Sequence, residues 1–298
     1  MEMGARKLHR KKIILTPYLF LIPIFALLII FRYYAVISAV YYSFFFWRPG
    51  ITSRFVGLAN YMDIFKDEIF WVSMVNILKY TAGRILLVIP LAFVGAELVF
   101  NLRTERGRYI WKVAYVIPMV VPFMVTFLYW KFFFNPQIGI LNNFLIGIGW
   151  EELTHAWLGE HGTALWCLLL IFFPYVSSLN FLILISKLQD IPTSVLEASR
   201  LDGASIWKRI FHMDIPMVMG AIRLCIILII MGNMRAFALF FVMTQGGPGS
   251  VTEVPGLYIY KTAFYYMRFG YASAMGVILL LIILFLTYIT TKFIKPKA

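Results

Sequence analysis

The sequence predicts an all-α integral membrane protein, a single domain over residues 1–298 with six transmembrane helices. Three observations carry that prediction. Hydrophobic residues make up 61% of the chain and charged residues only 14%, too little polar surface to coat a water-soluble globule of this size. Apolar runs recur at or above the roughly 20 residues that a helix needs to cross a bilayer core. Lys and Arg are spread unevenly over the segments between those runs.

The runs fall at about 13–38, 71–99, 109–131, 164–186, 217–242 and 271–293. Backbone groups in hydrocarbon must be bonded within the segment, and runs this long and this uniformly apolar are not barrel strands. The first run follows Arg6, Lys7, Arg10, Lys11 and Lys12, the layout of a secretory signal. It starts near Ile13 and continues past Ile30, beyond the roughly 7 to 15 apolar residues of a signal, and no small-x-small cleavage site follows. It is read as a retained helix. Pro23, Pro90, Pro118, Pro122 and Pro174 fall within the runs, where each permits a bend, through ordinary membrane-helix packing or as a hinge.

With the N-terminus in the cytoplasm, the inner segments hold 16 Lys and Arg, ending with Lys292, Lys295 and Lys297, and the outer segments hold 6. Both termini are therefore expected to be cytoplasmic. The same asymmetry accounts for much of the net charge of +13, which removes the argument for nucleic acid as a partner. Cys167 and Cys225 lie inside spans with no CxxC or His-rich spacing and read as packing residues.

Three outer segments exceed simple turns. The first, from about Phe46 to Phe70, contains Val56-Gly57-Leu58-Ala59-Asn60-Tyr61. The second, from about Phe132 to Thr163, places Ile140, Leu141, Phe144, Leu145 and Ile148 at helical spacing with Asn142 and Asn143 beside them, a short helix on the outer face. The third opens with Gln245-Gly246-Gly247-Pro248-Gly249, where glycine can end a helix in the left-handed conformation and proline prevents its resumption.

The inner segment 190–216 is too long for a connector. Ser194 and Glu197 have capping-box spacing, which starts a helix near Val195 after Pro192. Asp202 and Gly203 break it, Asp202 caps a second helix from Ala204 to about His212, and Pro216 leads back to the membrane. Val195, Leu196 and Ser199 share one face, and Ile206, Ile210 and Met213 another, with Trp207 and Phe211 adjacent. Apolar faces outside the membrane call for a partner, or for anionic lipid under an amphipathic hairpin.

This segment resembles the signature of the permease subunits of binding-protein-dependent ABC importers: EAA, three residues, G, nine residues, I-x-L-P. Here Glu197-Ala198-Ser199 precedes Gly203 by the right interval, and Met213-Asp214-Ile215-Pro216 follows, so Ser199, Met213 and Ile215 are the departures. The resemblance implies a type I ABC importer fold, with the hairpin seated in a cleft of a separate ATPase. Glu197, Ala198, Ser199, Asp202, Gly203, Ala204, Trp207, Phe211 and Pro216 would carry that contact. Gly203 would let backbones pack closely at the turn, and Glu197 would hold the loop or pair with a basic group on the partner. Val56 to Tyr61, Gly139 to Leu145 with Trp157-Leu158, and Thr244 to Phe264 with Thr252, Tyr258 and Tyr260 resemble the sugar-importing branch that includes the maltose and glycerol-phosphate permeases. That likeness implies a second homologous permease, two ATPase subunits that bind ATP and Mg, an extracytoplasmic solute-binding protein, a sugar substrate, a bacterial inner membrane, and no cofactor in this chain.

Polar residues inside spans usually face the bundle or a wet cavity. Asn233, twelve residues before Gln245, aligns with a sugar-contacting Asn of the maltose permease, and Gly232 and Phe237 lie beside it to give room and an aromatic face. Asn180 is a second candidate, with interhelical hydrogen bonding the competing role for both. Arg84 sits near mid-membrane, and with Lys79 and Arg235 it makes the pathway cationic, as an acidic or phosphorylated sugar requires, or else it pairs across a subunit interface. Arg32, Arg223 and Glu97 lie near span ends, within reach of water. No GxxxxGKS/T, HExxH or GxSxG occurs, so the chain is expected to do no covalent chemistry, and the Ser205-to-Lys208 SxxK has no companion elements. An ion-coupled transporter of a small polar solute is the alternative, and an intramembrane enzyme would need a catalytic pair in facing spans that the sequence does not offer.

Overall fold

The computed structural model describes residues 16–173 and 176–294 and is predominantly helical. Arg6, Lys7, Arg10, Lys11, Lys12, Ile13, Pro174, Lys295 and Lys297 lie outside the described residues. The first span is α1 (Thr16–Leu28), a π turn (Ile29–Tyr33) and α2 (Tyr34–Tyr42), with Pro23 inside the rod. A small antiparallel hairpin follows, β1 (Phe45–Arg48) on β2 (Thr52–Phe55), which a purely helical reading omits. After α3 (Ala59–Phe65), Asp67 caps the nitrogen of Phe70 and opens α4 (Glu68–Phe100), 33 residues long with Pro90 inside it.

The third predicted span is bent. α5 (Glu105–Val116) runs into a 3-10 turn (Ile117–Val120), and α6 (Phe123–Phe133) leaves it at 85°. Pro118 and Pro122 supply no backbone N–H, and Pro122 is extended at ψ 128°, so the helix cannot continue. The fourth is interrupted: α8 (Ala164–Leu170) ends before Phe172, whose φ is 76°, and α9 (Ser178–Gln189) starts again. α7 (Ile140–Gly147) is the expected short outer helix.

The segment predicted as a separate hairpin plus a fifth span is arranged differently. α10 (Thr193–Leu201) stands alone, but α11 (Ile206–Arg209), a π turn (Ile210–Asp214) and α12 (Ile215–Asn233) form one continuous helix. Pro216 therefore does not separate loop from span. The π turn closes with the nitrogen of Ile215 donating to Ile210 O, and the residue without an N–H follows immediately. α13 (Ala238–Met243), α14 (Pro255–Tyr260) and α15 (Phe269–Phe293) complete the chain. Among the described residues four helices are long and apolar enough to cross a membrane uninterrupted, and the bent pair makes a fifth.

Two cores hold these elements. Near the hairpin end, Ala92, Ala96 and Val99 of α4 pack on Phe181, Leu184 and Leu188 of α9 and on Val218 and Cys225 of α12. Small residues on α4 let the backbones approach, which matters where lipid supplies no hydrophobic drive for helix association. At the other end Phe70, Met74 and Ile77 meet Leu168, Phe240, Leu257 and Met275. The two cysteines fall in separate cores, as packing residues. By contrast, the side chains of Leu19–Ile37 are exposed along their whole length.

Side-chain clamps fix the segments at the far end. Asn60 donates to Ser43 O (2.8 Å) and Phe45 O (2.9 Å), which explains the buried asparagine of the 56–61 motif. Gly270 is where α15 passes β1, because a Cβ there would collide with the Phe45 carbonyl. Asp67 accepts from Tyr258 and Tyr271 hydroxyls at 2.7 Å each. Asn76 donates to Ser250 O (2.9 Å) and Glu253 O (3.0 Å), and Lys261 pairs with Glu253 at 2.6 Å. Burial pushes the Glu253 carboxyl above its ordinary range, against the lowering pull of Lys261.

Asn142, expected to lie beside the apolar stripe, is instead buried: it donates to Pro136 O (3.1 Å) and His155 O (3.0 Å) and accepts from Trp157 Nε1 (2.6 Å). Asn142→Ala strands these groups, so the detergent-purified protein should lose about 1–3 kcal/mol of stability and unfold at a lower temperature.

Candidate functional site

The turn between α10 and α11 follows from one backbone angle and two backbone bonds. Gly203 has φ +67°, its nitrogen donates to Arg200 O (3.1 Å), and the next nitrogen, of Ala204, donates to Ser199 O (3.0 Å). This is the Schellman termination, which places a left-handed residue just past the helix. Gly203 is thus required for its backbone angle rather than for the close packing expected of it, since no atom lies within 4 Å of a Cβ built there.

Two capping expectations are also corrected. α10 starts at Thr193, with Pro192 O accepting from the nitrogens of Val195 and Leu196, so Ser194 is already inside the first turn and makes no cap with Glu197. Asp202 ends the first helix, and Ser205 caps the second by accepting from the Lys208 nitrogen at 3.3 Å.

The two predicted apolar faces diverge. Ser199 is buried, its hydroxyl on Leu196 O (2.7 Å), and Val195 and Leu196 pack on the α4–α9–α12 core, so this face is covered within the chain. Of the other, Ile210 and Met213 are half-buried and only Ile206 is open at 52% exposure, while the adjacent Trp207 (68%) and Phe211 (61%) and the nearby Leu201 (88%) stand exposed beside it. Trp207 and Phe211 stack at 6.5 Å with 24° between planes. Glu197, Ala198, Asp202 and Gly203 are exposed around them, and Ala204 and Pro216 are half-buried.

Beneath the hairpin lies a cluster that the sequence reading missed. Arg209 is buried; its Nε donates to Asp214 Oδ2 (2.9 Å), one terminal nitrogen donates to Asn101 Oδ1 (2.7 Å), and Glu97 Oε2 lies at 3.6 Å. Asn101 in turn donates to Glu97 Oε2 at 2.9 Å. Glu97, expected to reach water, is 5% exposed and turned inward. The only signal in the sequence was a set of charges at apolar boundaries, with nothing to say that residues 97 and 209 meet.

The residues proposed for a solute pathway gather at two helix breaks. α12 ends at Asn233, whose Nδ2 is buried without a hydrogen-bond partner while its carbonyl accepts from Ala236. Gly232 is exposed, with open space beside it. Arg235 folds back to donate to Met231 O at 2.8 Å. Phe237 stacks on Phe241 (5.1 Å, 22°) and meets Tyr260 at 4.8 Å.

Arg84 and Asn180 belong to the other break. Arg84 donates to Ile171 O at 3.2 Å and lies 5.8 Å from the Phe172 ring centre. Asn180 is buried and donates to Ser177 Oγ (2.8 Å) within its own helix start, rather than to another helix. Ile171 and Leu168 beside one break and Met234 and Phe240 beside the other share one core, so the breaks are neighbours. The two arginines engage backbone carbonyls at the breaks.

Residues 88–298 match the family described as the binding-protein-dependent transport system inner membrane component. A probable ABC transporter permease protein of Bacillus subtilis, YurN, is 32% identical over 290 residues, covering 96% of this chain and 98% of its own. The sn-glycerol-3-phosphate transport system permease protein UgpA of Yersinia enterocolitica is 30% identical over 285 residues, covering 94% of each. In fold, the chain is similar to one from the crystal structure of a bacterial ABC transporter involved in the import of the acidic polysaccharide alginate, with a TM-score of 0.79 at 19% identity, over 94% of this chain and 96% of that one.

The left-handed turn sets a test of its own. Gly203→Asn should leave thermal stability close to that of the parent, whereas Gly203→Val should cost about 1–2 kcal/mol, read as a lower unfolding midpoint.

Proposed function

This chain belongs to the family of binding-protein-dependent transport system inner membrane components, and from that premise we propose that it is one of two homologous permeases lining the path of an ATP-driven sugar importer. α8 and α9 together make the fourth of six crossings, both termini and the hairpin face the cytoplasm, and the chain itself does no covalent chemistry. Two copies of a separate ATPase hold ATP and Mg, and an extracytoplasmic binding protein delivers the solute. The first span supports a lateral protein partner, since the side chains of Leu19–Ile37 stay exposed over that length.

The observation that carries the reading is the exposed Leu201, Ile206, Trp207 and Phe211 surface, held on a rigid turn and joined without a break to a membrane-crossing helix. An apolar surface in water is stable only when covered. Here the covering protein would be the ATPase, and its closure would be carried as a rigid-body displacement into α12. The stroke alternates access to the path.

For the solute, the relatives point to sugars and related polyols, charged or neutral: they are named for sn-glycerol-3-phosphate, sulfoquinovosyl glycerol and arabinooligosaccharides. The unpaired Asn233 Nδ2 is a hydrogen-bond donor for a hydroxyl, and Phe237 with Tyr260 offers aromatic faces for a sugar's apolar side. We assign solute contact to Asn233, Gly232 and Phe237. Arg84, Arg235 and Asn180 shape the breaks around them.

Two experiments test this reading. Gly203→Asp and Trp207→Asp should leave the permeases folded in detergent but abolish co-purification of the ATPase, and normal retention with normal uptake would overturn the assignment of the hairpin. In proteoliposomes, Asn233→Leu should lower ATP-driven sugar uptake by about tenfold, the worth of one lost hydrogen bond to a polar group, while the ATPase still co-purifies. Uptake that follows an ion gradient and needs no ATPase would overturn the importer itself.

A further inference from the structure

The hairpin is attached to the membrane domain in two different ways. α11 runs unbroken into α12, so the fifth span must move with it. α4 has no such continuity. Its last turns meet the hairpin through Arg209, whose guanidinium reaches Asn101 Oδ1 at 2.7 Å and Glu97 Oε2 at 3.6 Å while its Nε holds Asp214 at 2.9 Å.

We propose that Arg209 is a positioning residue that makes α4 follow the hairpin, so that the ATPase stroke reaches the outer loops along α4 as well as along α12. The proposal rests on the importer reading above. Arg209, Asp214 and Glu97 are all buried, at 8%, 0% and 5% exposure. Separating them would leave charges unpaired in a dry site, which costs more than shifting the helix that carries one of them. The guanidinium fork suits the task because it engages acceptors on two helices at once, which a single ammonium does poorly.

What α4 does at its other positions gives the joint its reach. The helix is 33 residues long, about 50 Å at 1.5 Å per residue. Midway, Arg84 holds Ile171 O at the break of the interrupted span. Near the outer end Asn76 holds Ser250 O and Glu253 O, and Asp67, at the cap, holds the hydroxyls of Tyr258 and Tyr271. A push applied at residue 101 is therefore delivered to the fourth span, to the 244–254 loop and to α14 and α15. Coupling of this kind is reciprocal, so a solute-loaded binding protein on the outer loops must reach the ATPase through the same joint.

The test uses the complete complex in proteoliposomes, with uptake, ATP hydrolysis and the stimulation of hydrolysis by solute-loaded binding protein measured together. Arg209→Met removes the joint. Asn101→Ala combined with Glu97→Gln removes the hydrogen bond and the opposite charge on the α4 side while leaving the Arg209–Asp214 pair in place, and it decides the matter if Arg209→Met fails to assemble. Both variants should lower the ratio of uptake to hydrolysis by about five-fold or more, the scale of a typical coupling energy, and blunt the stimulation, with Arg209→Lys restoring part of each. A parallel fall of uptake and hydrolysis at a constant ratio, or no change in the ratio, would overturn the joint while leaving the importer reading intact. Failure of the parent complex to take up solute with ATP would overturn both.

Discussion

A helix that stops within an apolar span leaves carbonyls without their helical partners, and in this protein two such ends are met by arginine. Arg84 donates to Ile171 O and Arg235 to Met231 O. Irregular backbone at membrane depth is tolerated only when buried in protein or facing a cavity. At these two breaks the donor is cationic, and the negative end of a helix favours a cation there. Residues that read from the sequence as an electrostatic signature of the solute thus have a prior structural duty, and the breaks they stabilise create the half-turn of free backbone beside Asn233.

The same economy recurs at the ends of the spans. Asp67, Asn76 and Asn60 at one end, and the Arg209 cluster at the other, are polar side chains turned inward onto backbone or onto each other. α4 takes part at both ends. Its stiffness makes it the element through which the hairpin and the far loops share one mechanical state, in addition to the covalent route through α12.

Much of this was legible in the sequence, because a bilayer imposes a length and a polarity that composition cannot hide. The predominantly helical, apolar character of the chain, the short helix of residues 140–147 and the turn at Gly203 follow from apolar periodicity and glycine placement. Continuity was not legible. Pro216 reads as a boundary, yet a π turn absorbs it. The 164–186 run is apolar enough to read as one span, yet Phe172 turns left-handed within it. Hydropathy measures only preference for lipid and carries no information on whether the helix is intact. The long-range pairs were out of reach for a different reason: Arg209 with Glu97 and Asp67 with Tyr258 join residues more than a hundred positions apart, and one sequence holds no record of such contacts.

The first span bears on how the protein lives in a cell. A rod whose side chains from Leu19 to Ile37 stay exposed in their own chain leaves most of its packing to what surrounds it, lipid or a neighbouring protein. Where a protein covers it, the thermal midpoint rises with that protein's concentration, as mass action requires.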